Sequence, residues 1–194
     1  LYLQVASYVL FSQLLLQAEV RPDQSGPGRD FTVKVDLDDQ LPATPAGGRF
    51  FYRFIYAGTV SRTGRCRTLP ASPNGVRRLK FGLATCQDFT NGYYGAWSHL
   101  ARDESLDFVL HLGDFIYEVV EYPEEVKTRY DRTIYEVARI PDGHKVGNFH
   151  IPLTVDGYRA IYKGYLADPD LQDARARWPF VAMWDNHEFS WQGW

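Results

Sequence analysis

Alternating apolar and polar positions dominate the first third of the chain and predict β-structure there. The predicted strands are residues 1–5, 14–20, 31–37 and 50–56, which have the two-residue period or the short apolar run of a strand. Turn-rich segments containing Pro and Gly separate them. Short strands spaced by such turns indicate a small antiparallel sandwich.

The pattern changes after residues 69–75, which have the Pro, Ser and Gly content of a linker. We therefore predict two domains, an all-β sandwich over residues 1–72 and an α/β domain over residues 73–194. The sandwich resembles a fibronectin or immunoglobulin-like module that lacks its first strand or strands.

The α/β domain is predicted from alternating strand and helix patterns. In chain order these are a strand at 79–85, a helix at 95–102, a strand at 106–112, helices at 155–166 and 169–177, and a strand at 180–184. Asp168 and Pro169 supply an N-cap and a first-position proline for the second of those later helices. Residues 119–152 are polar without a sustained period, which is typical of a functional insertion.

Three of these strands end in residues that can carry chemistry. Cys86 follows the first strand, Asp114 and Tyr117 follow the second, and the run Asp-Asn-His-Glu at 185–188 follows the last. Parallel neighbours would bring these ends to one edge of the sheet. Thiolate, carboxylate, phenolate and amide oxygen suit two metal ions, one of which tolerates sulfur. Such a pair can hold a phosphoryl oxygen and generate hydroxide near neutral pH, which predicts phosphate ester hydrolysis.

Each of these positions also has an ordinary structural explanation. Gly-Asp begins many turns, and Asn is common at caps. A free cysteine is more often a small buried hydrophobe than a ligand. The metal-site hypothesis therefore depends on the three strand ends taken together.

The motifs resemble those of the PhoD-like alkaline phosphatases, a branch of the calcineurin-like metallophosphoesterases. The resemblance rests on Cys86, on the segment His-Leu-Gly-Asp-Phe-Ile-Tyr-Glu at 111–118, and on Trp-Asp-Asn-His-Glu at 184–188, and it extends over essentially the whole chain. It implies a mixed-sheet metallophosphoesterase core. It also implies a phosphomonoesterase or phosphodiesterase, often secreted, periplasmic or on the cell surface, with ferric iron and calcium in the site.

The same resemblance implies a ligand set of four residues. Asp114 would bridge the two metals, and Cys86 would replace an aspartate of the wider superfamily as a thiolate ligand. Tyr117 would give a phenolate to ferric iron. Asn186 would give its carbonyl oxygen to the other metal, although the family often has a second aspartate there.

Two further residues are implied to act in catalysis. His187 would face the phosphate and either stabilise the developing charge or protonate the leaving alkoxide. Glu188 would orient and charge the imidazole of His187. Asp185 is given no separate role, because the family often has its second aspartate where this chain has Asn186.

Charge and composition limit the classes of molecule that the protein is expected to bind. The formal net charge of −3 and the dispersed basic residues argue against nucleic acid binding. Two cysteines exclude a disulfide scaffold but leave open one bridge between Cys66 and Cys86. No apolar run is long enough for a membrane span, and no signal peptide with a basic leader is found. A small-molecule phosphate ester remains the expected substrate, and the sequence gives no indication of oligomeric state.

One departure from the family concerns the metal ligands. The superfamily completes its site with histidines or other ligands after the Asn-His-Glu segment, whereas this sequence ends at Trp194. We therefore expect a truncated phosphatase whose site is incomplete. A noncatalytic binding protein with a degenerate phosphatase-like domain is the alternative.

The expected outcome is little or no hydrolysis of p-nitrophenyl phosphate by the 194-residue chain, even with added iron and calcium, because part of the ligand set is missing. A steady-state assay measures this directly. Robust turnover that Asp114→Asn abolishes would contradict the expectation.

Overall fold

The chain divides into two units, the first built on an antiparallel sheet and the second on strands that alternate with helices. In a computed structural model of the chain, the described residues are 1–90, 92–121, 140 and 143–190. The first unit comprises Leu1–Leu79 and Ala176–Pro179, and the second comprises Lys80–Arg175 and Phe180–Trp194. The predicted domain boundary after residue 72 lies within the first unit and stays a prediction. Among the described residues, no helix is long and apolar enough to cross a membrane.

The first unit contains one antiparallel sheet. Its strands are β1 (Tyr2–Ala6), β2 (Leu14–Glu19), β3 (Arg49–Tyr56), β4 (Thr59–Val60) and β5 (Gly64–Arg67). β1 lies between β2 and β3, and β3 also pairs with β4 and β5. Leu3 and Val5 lie two residues apart on β1, so they share a face, and they pack with Val20 and Phe50 in a buried core.

Residues 31–37 do not form the predicted strand. Asp30 and Phe31 have φ values of 51° and 56°, a left-handed backbone that interrupts an extended run. Val33, Val35 and Leu37 still pack against the core cluster, so their alternation reflects burial without strand pairing. Within the described residues of this unit every strand belongs to one sheet, and the second layer of the predicted sandwich is therefore not confirmed.

The second unit has the predicted strand–helix–strand order. Its elements are β6 (Phe81–Ala84), α1 (Gly95–Arg102), β7 (Phe108–His111), β8 (Val120–Glu121), β9 (His144–Val146), β10 (Phe149–Ile151), α2 (Val155–Leu166), α3 (Pro169–Arg177), which ends in the first unit, and β11 (Phe180–Ala182). β7 lies between β6 and β11, and both pairings are parallel. All three strands consequently end at the same edge of the sheet.

The predicted insertion contains a small antiparallel sheet in which β10 pairs with β8 and β9. Strands of two or three residues are too short to show a period in the sequence. Residues 122–139 and 141–142 of this segment lie outside the described residues.

Both later helices begin at a capping side chain, and for the second helix it is the predicted one, Asp168. The hydroxyl of Thr154 accepts the N–H of Gly157 at 3.1 Å at the start of α2. The Asp168 carboxylate accepts the N–H of Leu171 at 2.9 Å, ahead of Pro169 at the first position of α3. These contacts satisfy N–H groups that the first helical turn leaves unpaired.

At Gly113, between β7 and Asp114, the backbone conformation and the close approach of the loop after β11 both require glycine. Its φ is +99°, and an added Cβ would lie 2.5 Å from the Asp185 backbone nitrogen. Gly147 also has a positive φ, of +63°, but an added Cβ would meet nothing within 4 Å. Substitutions at these two glycines therefore distinguish the cost of backbone strain, which both share, from the cost of close packing, which only Gly113 has.

We expect Gly147→Ala to cost about 1 kcal/mol of unfolding free energy through backbone strain alone. Gly113→Ala should cost roughly 3 kcal/mol or more, because the loops after β7 and β11 must also separate. Urea denaturation of the purified variants tests this. Equal losses at the two positions would show that the close approach contributes nothing.

Candidate active site

The loops after β6 and β7 stay paired beyond the strand ends. The N–H of Leu112 donates to the Ala84 carbonyl at 2.9 Å, and the N–H of Cys86 donates to the Gly113 carbonyl at 3.2 Å. These bonds bring Cys86 beside Asp114. The Sγ of Cys86 donates to Oδ2 of Asp114 at 3.4 Å.

Both of these residues have an unusual backbone conformation. The φ of Cys86 is 53° and that of Asp114 is 51°. Left-handed backbone costs a residue with a Cβ about 1–2 kcal/mol, and strain of this kind is concentrated at functional sites. Two strained residues at neighbouring strand ends, with their side chains in contact, identify this edge as the candidate site.

Tyr117 adjoins the same pair. Burial raises the pKa of its hydroxyl, and a hydrogen bond to Cys86 raises it further. Its backbone N–H donates to the Tyr165 hydroxyl at 3.1 Å, which connects the segment to α2. Three of the four predicted ligands, Cys86, Asp114 and Tyr117, therefore lie together.

The segment after β11 reaches this cluster through its backbone. Asn186–Glu188 form a short 3-10 turn that is capped by the Asp185 carboxylate, which accepts the Asn186 N–H at 2.8 Å. The N–H of His187 donates to Oδ1 of Asp114 at 3.2 Å. Asn186 therefore precedes the residue that touches Asp114, and its role as a ligand stays a prediction.

Glu188 has a different contact from the predicted one. Its carboxylate accepts the backbone N–H groups of Asp114 at 2.9 Å, Phe115 at 2.7 Å, Ile116 at 3.4 Å and Asp185 at 2.7 Å. The predicted contact between Glu188 and the His187 imidazole is not found among the described residues. Glu188 instead joins the loop after β7 to the loop after β11.

The carboxylate that contacts the imidazole belongs to Glu118. Nδ1 of His187 lies 2.6 Å from Oε2 of Glu118, and the side chains are 13% and 0% exposed. The Tyr117 ring covers the imidazole, with centroids 4.1 Å apart. Burial raises the pKa of the Glu118 carboxyl, whereas the bond to His187 opposes that rise. Glu118 ends the motif at 111–118, but its position in the sequence gave no indication of this contact.

Gln87 also supports the site, and the sequence carried no distinctive signal for it. Its buried side chain donates to the Phe115 carbonyl at 2.9 Å and accepts from Nε1 of Trp97 at 2.9 Å. These bonds fix the residue after Cys86 to the loop after Asp114 and to α1. Gln87 thus holds the Cys86 loop in place from the interior.

Three tyrosines of α2 lie beneath the strand ends at helical spacing. The Tyr158 hydroxyl donates to the Phe189 carbonyl at 2.5 Å, and the Tyr162 ring stacks on Phe115 with centroids 6.1 Å apart. Burial, followed by the Glu188 charge, raises the pKa of Tyr162 to about 12. With Tyr165 below Tyr117, one helix face supports several segments of the site.

The donor atoms present fit part of a metal site. A thiol sulfur and a carboxylate oxygen lie 3.4 Å apart with a phenol beside them, which is a donor set for a metal that tolerates sulfur. Among the described residues, no group of three or more His, Cys, Asp or Glu side chains is arranged to hold a metal ion. Cys66 and Cys86 are both free thiols, so the bridge between them that the sequence left open is not formed.

Comparison with known proteins agrees with a phosphatase-type domain. A family model described as PhoD-like phosphatase matches residues 81–194. Alkaline phosphatase D of Bacillus subtilis (strain 168) is 37% identical over 166 residues, which are 86% of this chain and 25% of that protein. A solved structure described as "Structure of PhoD" has a TM-score of 0.73 and 29% identity, covering 97% of this chain and 32% of that one.

The chain belongs to the PhoD-like phosphatase family, which confirms the resemblance seen in its motifs. The structural match confirms the mixed α/β fold class. The chain spans only about a quarter to a third of the length of the relatives that it matches.

Glu188→Ala is expected to lower the unfolding free energy by roughly 3 kcal/mol, because several N–H groups lose a charged acceptor. Asp156→Ala is the control, since it removes an exposed ion pair with Arg159 and should change stability by about 0.5 kcal/mol or less. Urea denaturation of both variants measures the difference. Equal stability of the two variants would exclude this role for Glu188.

Proposed function

We propose that the protein containing this chain is a metal-dependent phosphate ester hydrolase, acting on phosphomonoesters or phosphodiesters. The observation that carries the proposal is the 3.4 Å contact between Sγ of Cys86 and Oδ2 of Asp114 at the ends of parallel strands. Membership of the PhoD-like phosphatase family supports the same reaction class. A small-molecule phosphate ester is the substrate that this site would take.

The residues assigned to hold the metals are Cys86, Asp114, Tyr117 and Asn186. Cys86 and Tyr117 would bind ferric iron, Asn186 would bind calcium, and Asp114 would contribute to both. When bound, the metals would lower the pKa of a water molecule and neutralise charge on the phosphoryl group. Burial raises the pKa of Tyr117, so its phenol would have to lose its proton on metal binding before it could serve as a phenolate ligand.

His187 is the proposed catalytic residue of this chain. Its backbone N–H is bound to the proposed bridging carboxylate of Asp114, and its imidazole lies against the ring of Tyr117, another proposed ligand. Among the described residues, only Glu118 forms a hydrogen bond with the ring, at Nδ1, and this leaves Nε2 to act on the substrate. A group at that position would either protonate the leaving alkoxide or stabilise developing charge.

The remaining metal ligands are proposed to come from further parts of a metallophosphoesterase core. The short share of each relative that this chain spans supports the proposal. The N-terminal sheet would be part of an immunoglobulin-like or fibronectin-like sandwich. An exported location is likewise proposed on the basis of the family resemblance.

A noncatalytic binding protein is the second candidate. It is favoured by the finding that no three His, Cys, Asp or Glu side chains form a metal group among the described residues. Iron content discriminates between the two, because a binding protein should purify without stoichiometric iron. Ferric iron on a tyrosinate should also colour the protein.

Asp114→Asn and Cys86→Ser should each reduce phosphatase activity of the full-length protein, with iron and calcium present, by about 100-fold or more, because each removes a proposed ligand. Cys66→Ser is the matched control, since Cys66 packs against the core of the first unit, and it should keep most of the activity. Steady-state assays and iron analysis provide the measurements. Full activity without Asp114 and Cys86 would overturn the assignment.

A further inference from the structure

Two consecutive residues, Tyr117 and Glu118, hold the imidazole of His187 from different directions. The ring of Tyr117 lies against the face of the imidazole at a centroid distance of 4.1 Å. The Glu118 carboxylate meets its edge, at 2.6 Å from Nδ1. With its own N–H bound to Asp114, His187 is fixed by three contacts, and the ring has no freedom to turn without breaking one.

The position of Glu118 is energetically unfavourable for a charged side chain. Its side chain is fully buried, and a buried carboxylate is costly unless it is paired and fully hydrogen-bonded. Its Oε1 is buried without a hydrogen-bond partner among the described residues. An apolar residue of similar volume would fill the same space without that desolvation cost, so packing alone does not explain a glutamate here.

The contact has a definite effect on the imidazole. A neutral histidine carries one ring proton, and the acceptor next to a ring nitrogen decides which nitrogen holds it. A carboxylate at Nδ1 keeps the proton there and leaves Nε2 as the other functional nitrogen. The Tyr117 ring then sets the tilt of the imidazole plane.

We propose that Glu118 is the positioning residue of His187, fixing its tautomer and ring orientation from the buried side of the site. This proposal rests on the proposed function, in which His187 acts on a phosphate ester. Glu118 is not one of the proposed metal ligands, and in this role it acts through His187. The pairing also ties His187 to Tyr117, because the residue that orients the imidazole follows the proposed phenolate ligand directly in the chain.

The test compares Glu118→Leu with Glu118→Gln in the full-length protein. Leucine removes the acceptor but fills the buried space, whereas glutamine keeps an oxygen that can still accept from Nδ1. The first readout is the ¹⁵N spectrum of the His187 imidazole, assigned with His187→Gln and recorded without added metal. We expect wild type to carry its proton on Nδ1, Glu118→Leu to lose that preference, and Glu118→Gln to retain most of it.

The second readout is turnover of ethyl phosphate and of p-nitrophenyl phosphate by the metal-loaded enzyme. Glu118→Leu should lower kcat for ethyl phosphate by about 10- to 100-fold with KM within about threefold. The loss should be smaller for p-nitrophenyl phosphate, whose leaving group needs no proton. Glu118→Gln should restore part of the loss. Glu19→Gln, at the exposed end of β2, is the control and should match wild type.

The possible results distinguish failure of the positioning role of Glu118 from failure of the proposed function. Unchanged imidazole signals in Glu118→Leu would overturn the positioning role. Equal kcat losses on both substrates, accompanied by a lower melting temperature, would also overturn it, because general destabilisation would then explain the loss. If Glu118→Leu does not fold, the ratio of the two kcat losses in Glu118→Gln decides in the same way. If wild type hydrolyses neither ester, the proposed function fails, while the imidazole spectrum still decides whether Glu118 sets the tautomer.

Discussion

The candidate site depends on one carboxylate that binds backbone rather than substrate. Glu188 accepts N–H groups from Asp114, Phe115 and Ile116 after β7 and from Asp185 after β11. Since an ionised carboxylate accepts from several donors at once, the Glu188 side chain binds the backbone of both loops and holds them together. The position of Asp114, and through it the positions of Cys86 and His187, follows from that closure.

Left-handed backbone is the second constraint on the same edge. Residues that leave a strand in extended conformation continue away from the sheet, whereas a positive φ turns the chain within one residue. Cys86 and Asp114 both turn in this way, and Gly113 lets the β11 loop approach the turn. The Glu188 bonds to the following amides and the Gln87 bond to Phe115 offset the strain.

The sequence predicted the strand ends better than the contacts between them. Apolar runs and caps located β6, β7, α1 and α3 because those signals are local, and parallel order then placed Cys86 near Asp114. The histidine partner was assigned to Glu188, next to it in the chain, although the structure gives that contact to Glu118. Neighbours in a 3-10 turn point in different directions, so adjacency said nothing of contact. Residues 31–37 show the converse, since alternation records burial and does not record hydrogen bonding.

The three tyrosines on one face of α2 limit how far this helix can rotate relative to the strand ends. Tyr158, Tyr162 and Tyr165 meet the segment after β11, the loop after β7 and the backbone of Tyr117. A helix turns about 100° per residue, so inserting one residue ahead of Tyr158 would swing all three phenols away together. Deleting a residue from the turn at 147–148, between β9 and β10, need not do so, because α2 begins at its own cap, Thr154. Length variation should therefore be confined to turns such as this one and be absent from α2, whose rotation aligns the three phenols with the strand ends.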